Sequence, residues 1–207
     1  MLRRGSIQRK LALAAALAFA AGMPSRAEAK LQLRRGEAPK APTKEAAMTE
    51  KAVFAAGCFW GVQSAFDEVK GVKSTTVGYT GGHTKNPSYE EVCTHTTGHA
   101  EAVEVEYDPA VASYEKLVEY FFKINDPTTK NRQGPDVGDQ YRSAIFSHTP
   151  QQQATAEAVK ARLAKGGRFK RPIVTEITPA STFYPAEEYH QKYFQKHKGA
   201  VQCHINL

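Results

Sequence analysis

The stretch KAVFAAGCFWGVQSAFDEV, residues 51–69, changes its apolar rhythm at Gly57-Cys58. Lys51 to Ala56 is a short apolar run of strand character. Beyond it Phe59, Val62, Phe66 and Val69 step by three, four and three, the spacing of a buried helical stripe. The reading is a strand, a glycine turn and a helix, with Cys58 at the junction. Working outward, Val72 to Tyr79 reads as a strand, and Gly81-Gly82 opens a long polar loop through Pro87. Glu101 to Tyr107 alternates, with Val103, Val105 and Tyr107 on one face and Glu104 and Glu106 on the other, until Asp108-Pro109 stops it. Tyr114, Leu117, Val118 and Phe121 mark a helix, and Tyr141 to Ser147 a strand. Thr149-Pro150-Gln151-Gln152 has the form of a helix start, with a Thr cap, Pro at the first position and Gln three after the cap. That helix runs to Gly166-Gly167. Ile173 to Thr178 predicts a further strand, and Ala186 to Lys196 a last helix before a short tail. The order is βαββαβ followed by αβα, and its first six elements match the split βαβ arrangement. The expected class is α+β, a ferredoxin-like two-layer sandwich with extra C-terminal elements and long loops.

The ends of the chain read differently. Residues 1–29 combine a basic stretch (Arg3, Arg4, Arg9, Lys10), an apolar run from Leu11 to Gly22 and the small-residue triplet Ala27-Glu28-Ala29. This is the form of a cleavable secretory signal, cut after Ala29. The apolar run falls well short of the roughly 20 residues that span a bilayer, so no stable membrane anchor is expected. Export to the periplasm or the outside follows. Residues 30–48 are rich in Pro, Lys, Glu and Ala without apolar periodicity and read as a disordered linker. The catalytic domain is therefore expected at 49–207. A net charge of +7 raises the question of nucleic acid, but residues 1–48 hold 10 Lys and Arg against 3 Asp and Glu, while the remainder holds 18 against 18. A neutral domain has no electrostatic footprint for nucleic acid or an acidic membrane.

Three cysteines, Cys58, Cys93 and Cys203, are too few for a disulfide scaffold or a closed zinc site, and an odd count in an exported protein points to a reactive thiol. Cys58 opens a helix, where the dipole and the backbone N–H groups favour a thiolate. Position alone suits a small buried hydrophobe equally well. Phe59 and Trp60 place aromatic surface beside the sulfur. Glu101 shares parity with Val103, Val105 and Tyr107, so its carboxyl points to the apolar side of its strand, where a protonated form suits a proton donor. No histidine pair has the spacing of a zinc motif, so no metal is assigned.

The run Gly57-Cys58-Phe59-Trp60-Gly61 resembles the signature of the methionine sulfoxide reductase A family, and Thr97-Gly98-His99-Ala100-Glu101-Ala102-Val103 resembles its second motif. Further matches follow in order: Tyr89 within Pro87 to Val92, Asp136 and Tyr141 within Gln133 to Ser143, Phe183-Tyr184, and Tyr189-His190-Gln191. The resemblance implies a peptide-methionine (S)-S-oxide reductase acting on oxidised proteins, peptides and free methionine sulfoxide. It implies Cys58 as nucleophile, Glu101 with Tyr89, Tyr141 and Asp136 in the catalytic machinery, and Phe59 and Trp60 at the substrate methyl group. It also implies Cys203 as the resolving cysteine, a thioredoxin-like dithiol as reductant, and no metal or organic cofactor. Cys93 reads as structural, His99 as a loop-holding residue and His190 as a helix-face residue near the site. The chain departs from the family at Gly199-Ala200-Val201-Gln202-Cys203-His204, where many relatives have Gly-Tyr-Cys-His. A monomer is expected. Two rival readings are a thiol oxidoreductase for disulfides or peroxides, disfavoured because Gly61 replaces the second cysteine of Cys-x-x-Cys, and a non-catalytic methionine-binding module, disfavoured because Cys58 and Glu101 are both present.

Overall fold

The computed structural model describes residues 48–200; the expected signal, the linker as far as residue 47, and Cys203 lie outside the described residues. The change of rhythm at Gly57 is realised as β1 (Glu50–Ala56) followed by α1 (Phe59–Asp67). A helix of 9 residues is too short to hold itself together in water. It forms because Phe59, Val62 and Phe66 are almost fully buried, each contributing roughly 1.5–3 kcal/mol by leaving water. β2 (Val72–Thr80) comes next, then a five-residue helix α2 (Tyr89–Cys93), β3 (Ala100–Tyr107) and α3 (Tyr114–Ile124). A small hairpin of β4 (Arg132–Gln133) and β5 (Asp136–Val137) leads through a tight 3-10 turn at Asp139–Tyr141 into β6 (Ser143–Ser147). α4 (Pro150–Lys165), β7 (Glu176–Pro179), β8 (Tyr184–Pro185) and α5 (Tyr193–Lys196) complete the described chain.

Six strands form one sheet in the order β7-β6-β1-β3-β2-β8. Only the β6–β7 pair is parallel. The architecture is mixed α and β with a central sheet, as expected. Side chains from α1, α3 and α4 share one core with Phe54, Val77, Val103, Val105 and Ile145, so these helices cover a single face. Phe54 lies at its centre, stacked on Phe66 at 4.9 Å and on Phe121 at 5.6 Å. The other face is built mainly from small residues, Ala55, Ala100, Ala102 and Ala144, and Ala180 and Phe183 pack against it.

Three local expectations are corrected, and further elements form where none was expected. Tyr141 lies in the 3-10 turn, and the strand starts two residues later at Ser143. The strand expected from Ile173 starts at Glu176, because Val174 donates its N–H to the Pro127 carbonyl instead of joining the sheet. The helix expected over Ala186–Lys196 shrinks to four residues. Its first half is diverted by Gln191, whose amide accepts the Val77 N–H and donates to the Val77 and Ala186 carbonyls, acting as a substitute strand partner on the edge of β2. Lys192 then takes a left-handed φ of 54° and donates its N–H to Gln63. Beyond the polar loop expected through Pro87, α2 and the β4–β5 hairpin form in stretches to which the sequence assigned no helix or strand; α2 carries a full capping box of Ser88 and Glu91.

Candidate active site

Gly57 turns the chain from β1 into α1 with a φ of +90°, which glycine adopts without a Cβ penalty. A Cβ there would stand 2.6 Å from the Cβ of Gln133. Gln133 cannot easily yield, since its amide accepts the Asp126 N–H at 3.0 Å and donates to the Asp126 carbonyl at 2.8 Å. Gly57→Ala is therefore expected to cost on the order of 1–3 kcal/mol and to lower the melting temperature by several degrees. Calorimetry of the variant checks this; an unchanged melting temperature would show that the turn accepts a side chain.

Cys58 occupies the N-cap position of α1, partly exposed, and its side chain does not cap the helix. The first N–H of the helix, that of Phe59, donates to Oε2 of Glu101 at 3.0 Å. Glu101 is 2% exposed and sits on β3 directly across from Tyr79 of β2. The parity it shares with Val103 and Val105 turns it to the helix-covered face. Thiol and carboxyl thus meet at one helix N-terminus, where the backbone dipoles favour negative charge.

Two tyrosines join them. Burial pushes the Tyr141 hydroxyl well above the usual tyrosine range, and the negative charge available at Glu101, Asp136, Cys58 and Cys93 pushes it further. Burial likewise raises Tyr89, followed by its hydrogen bond to Cys93 and the charge at Glu101. Both hydroxyls stay protonated and can donate. The Cys93 thiol is raised, first by burial, so the cysteine read as structural stands beside a site tyrosine. Glu187 fixes the position of α2: its Oε1 accepts the Tyr89 N–H and its Oε2 the Tyr79 hydroxyl, each at 2.9 Å.

The aromatic side of the site is layered. Phe59 is 1% exposed and lies against Tyr79 and His190, so it forms a floor, whereas Trp60 is half-buried. Trp60 stacks on Tyr193 at 3.7 Å and donates its indole N–H to Nδ1 of His190 at 3.0 Å. His99 holds its loop as expected, accepting the Gly82 N–H and bonding to the Thr84 carbonyl.

The structure thus assembles Cys58, Phe59 and Trp60 of α1 with Glu101 of β3, Tyr89 of α2, and Asp136 and Tyr141 from the hairpin and the turn after it. Cys203 lies outside the described residues. Sequence reasoning did not single out Gln133, Glu187 or Tyr193, and no local pattern marks them. His190, expected on a helix face near the site, lies near the site in a turn ahead of α5. Among the described residues no group of three His, Cys, Asp or Glu side chains is placed to hold a metal ion, and no helix is long and apolar enough to cross a membrane.

Comparison with known proteins agrees with this geometry. Residues 50–207 match the family described as peptide methionine sulfoxide reductase. The chain is 64% identical over 153 residues to the peptide methionine sulfoxide reductase MsrA of Methanosarcina acetivorans, covering 74% of this chain and 81% of the relative. Among solved structures, Mxr1 from Saccharomyces cerevisiae in reduced form superposes with a TM-score of 0.73 at 34% identity, over 79% of this chain and 94% of that one. Mxr1 in complex with Trx2 superposes with a TM-score of 0.52 at 26% identity, over 74% and 91%. With the signature cysteine at a helix start, the buried glutamate beside it and a match across the whole folded unit, the chain belongs to the peptide methionine sulfoxide reductase family.

Proposed function

We propose that this chain reduces the S epimer of methionine sulfoxide, free or within oxidised proteins and peptides, to methionine. The observation that carries the reading is the meeting of Cys58 with the buried Glu101 carboxyl at the start of α1, with two protonated tyrosines beside it. Glu101, Tyr89 and Tyr141 hold the sulfoxide oxygen and draw electron density from the sulfur, with Asp136 orienting Tyr141. The methyl group rests against Trp60, with Phe59 behind it. The Cys58 thiolate attacks the electrophilic sulfur and Glu101 supplies a proton to the oxygen. The Cys58–sulfur bond formed in the attack and the substrate's sulfur–oxygen bond then both break as the hydroxyl passes to the Cys58 sulfur, so methionine leaves and Cys58 is left as a sulfenic acid. The sulfoxide has gained two electrons and the thiol has lost two. Condensation with the Cys203 thiol releases water and forms a Cys58–Cys203 disulfide. A thioredoxin-like dithiol then reduces that disulfide by exchange, and the yeast relative's complex with Trx2 supports such a partner.

The direct test is the epimer assay. Purified protein with dithiothreitol should convert the S sulfoxide of a blocked methionine peptide and leave the R form untouched, as one enzyme serves each epimer. Inertness to both would sink the reading. The protein further acts as an exported monomer, periplasmic or secreted, after removal of residues 1–29. N-terminal sequencing of the exported protein should begin at Lys30; an intact Met1 end would refute the cleavage.

A further inference from the structure

His190 is 1% exposed although it lies in a turn outside the sheet. Its Nδ1 accepts the Trp60 indole N–H at 3.0 Å, and an indole nitrogen only donates. Nδ1 therefore carries no proton, and the neutral ring bears its hydrogen on Nε2. That Nε2 is buried without a hydrogen-bond partner. Oε2 of Glu187 stands 3.9 Å away, held there by the Tyr79 hydroxyl, while Oε1 holds the Tyr89 N–H. Leaving a buried N–H unmet is costly, so the arrangement favours the Trp60 contact over satisfaction of the ring.

Every element packed on His190 bears on its charge. α1 contributes the rings of Phe59 at 5.1 Å and Trp60 at 5.5 Å, and α2 contributes Tyr89 at 4.6 Å and the carboxylate of Glu90. Its own turn contributes Tyr189 at 4.2 Å and Glu187. Burial pushes the imidazole below its ordinary range, and the two glutamates oppose this. Beyond Trp60 lie Tyr193 and then His197, which stacks on Tyr193 at 4.2 Å.

We propose that His190 is a positioning residue that holds Trp60 as a wall of the substrate site only while its imidazole is neutral, so that substrate capture weakens as acid protonates it. Protonation puts a hydrogen on both ring nitrogens. Nδ1–H then faces the indole N–H donor to donor, while Nε2–H is drawn toward Glu187. The indole leaves its hydrogen bond. Neither Cys58 nor Glu101 is held by this contact, so the part of the acid effect that comes from His190 falls on KM. The catalytic consequence rests on the reductase reading above; the clamp on Trp60 does not.

The chain has a single tryptophan, so intrinsic fluorescence of the substrate-free protein reports the Trp60 indole directly. On titration from about pH 8 down to about pH 4, the emission should change in one step centred below the ordinary histidine pKa of about 6.5. KM for the S sulfoxide peptide should rise in the same step, while any fall in kcat from loss of the Cys58 thiolate to acid should be the same in His190→Asn as in the unmodified protein. His190→Asn places an amide oxygen near the Nδ1 position without a titrating group; it should keep KM within about twofold of the unmodified protein at neutral pH and abolish the step in both measurements. His190→Leu should raise KM roughly five- to tenfold at every pH, the effect of losing one hydrogen bond. His197→Gln should retain the step. A step that persists in His190→Asn, flat emission in the unmodified protein, or a normal KM in His190→Leu would each overturn the proposal. Inertness toward the sulfoxide with the fluorescence step intact would remove the reductase reading and leave the clamp standing.

Discussion

Replacing Glu101 by Gln lowers the rate of methionine release in a single turnover by on the order of 10²–10⁴-fold, the usual worth of a positioned general acid, while the domain stays folded. The amide oxygen of glutamine can still accept the Phe59 N–H that now bonds to Oε2, so the start of α1 keeps its anchor. What the amide cannot do is surrender a proton. Glu101 is 2% exposed, which also keeps water from substituting for the lost acid. Release of methionine followed across pH, together with a melting curve, separates the two roles. A near-normal melting temperature with a collapsed rate is the expected pair. An unchanged rate would move the acid to Tyr141, the hydroxyl that feels Glu101, Asp136 and Cys58 together.

Cys203→Ser should release about one methionine per enzyme in a burst and then stall when thioredoxin is the only reductant. The first half of the cycle needs only Cys58; the second needs a thiol that condenses with its sulfenic acid. α5 ends at Lys196, and the seven residues from there to Cys203 can span up to roughly 25 Å if extended, enough to reach a distant site. Dithiothreitol should restore much of the turnover, since a small thiol reaches the partly exposed Cys58 directly. Mass analysis after the burst should find a Cys58–Cys203 disulfide in the unmodified protein and a sulfenic adduct in the variant. Cys93 is the competitor to watch, because it stands beside Tyr89 and within electrostatic reach of Tyr141. A dominant Cys58–Cys93 bond would transfer the recycling role to it, and full thioredoxin-driven turnover by Cys203→Ser would remove the role from Cys203.

The strand-to-helix junction at Cys58, the inward parity of Glu101 and the Thr149 cap of α4 were all legible in the sequence, because periodicity and capping are written within a few neighbouring residues. α2 was legible in principle: Ser88 and Glu91 have the spacing of a capping box, but five residues are too few to show a helical stripe. Nothing local announced that Gln191 would take over a strand's hydrogen bonds on β2, 114 positions away, and so shorten the last helix. The contact of Trp60 with His190 spans 130 positions, and Glu187 reaches 108 positions back to Tyr79. The sequence by itself determined the junction that presents the thiol and the face that buries the acid. Which side chains hold Trp60 and Tyr89 in place was decided only by the tertiary structure, since a buried polar group takes whatever partner the packed chain brings within hydrogen-bond distance, and that partner has no fixed place along the chain.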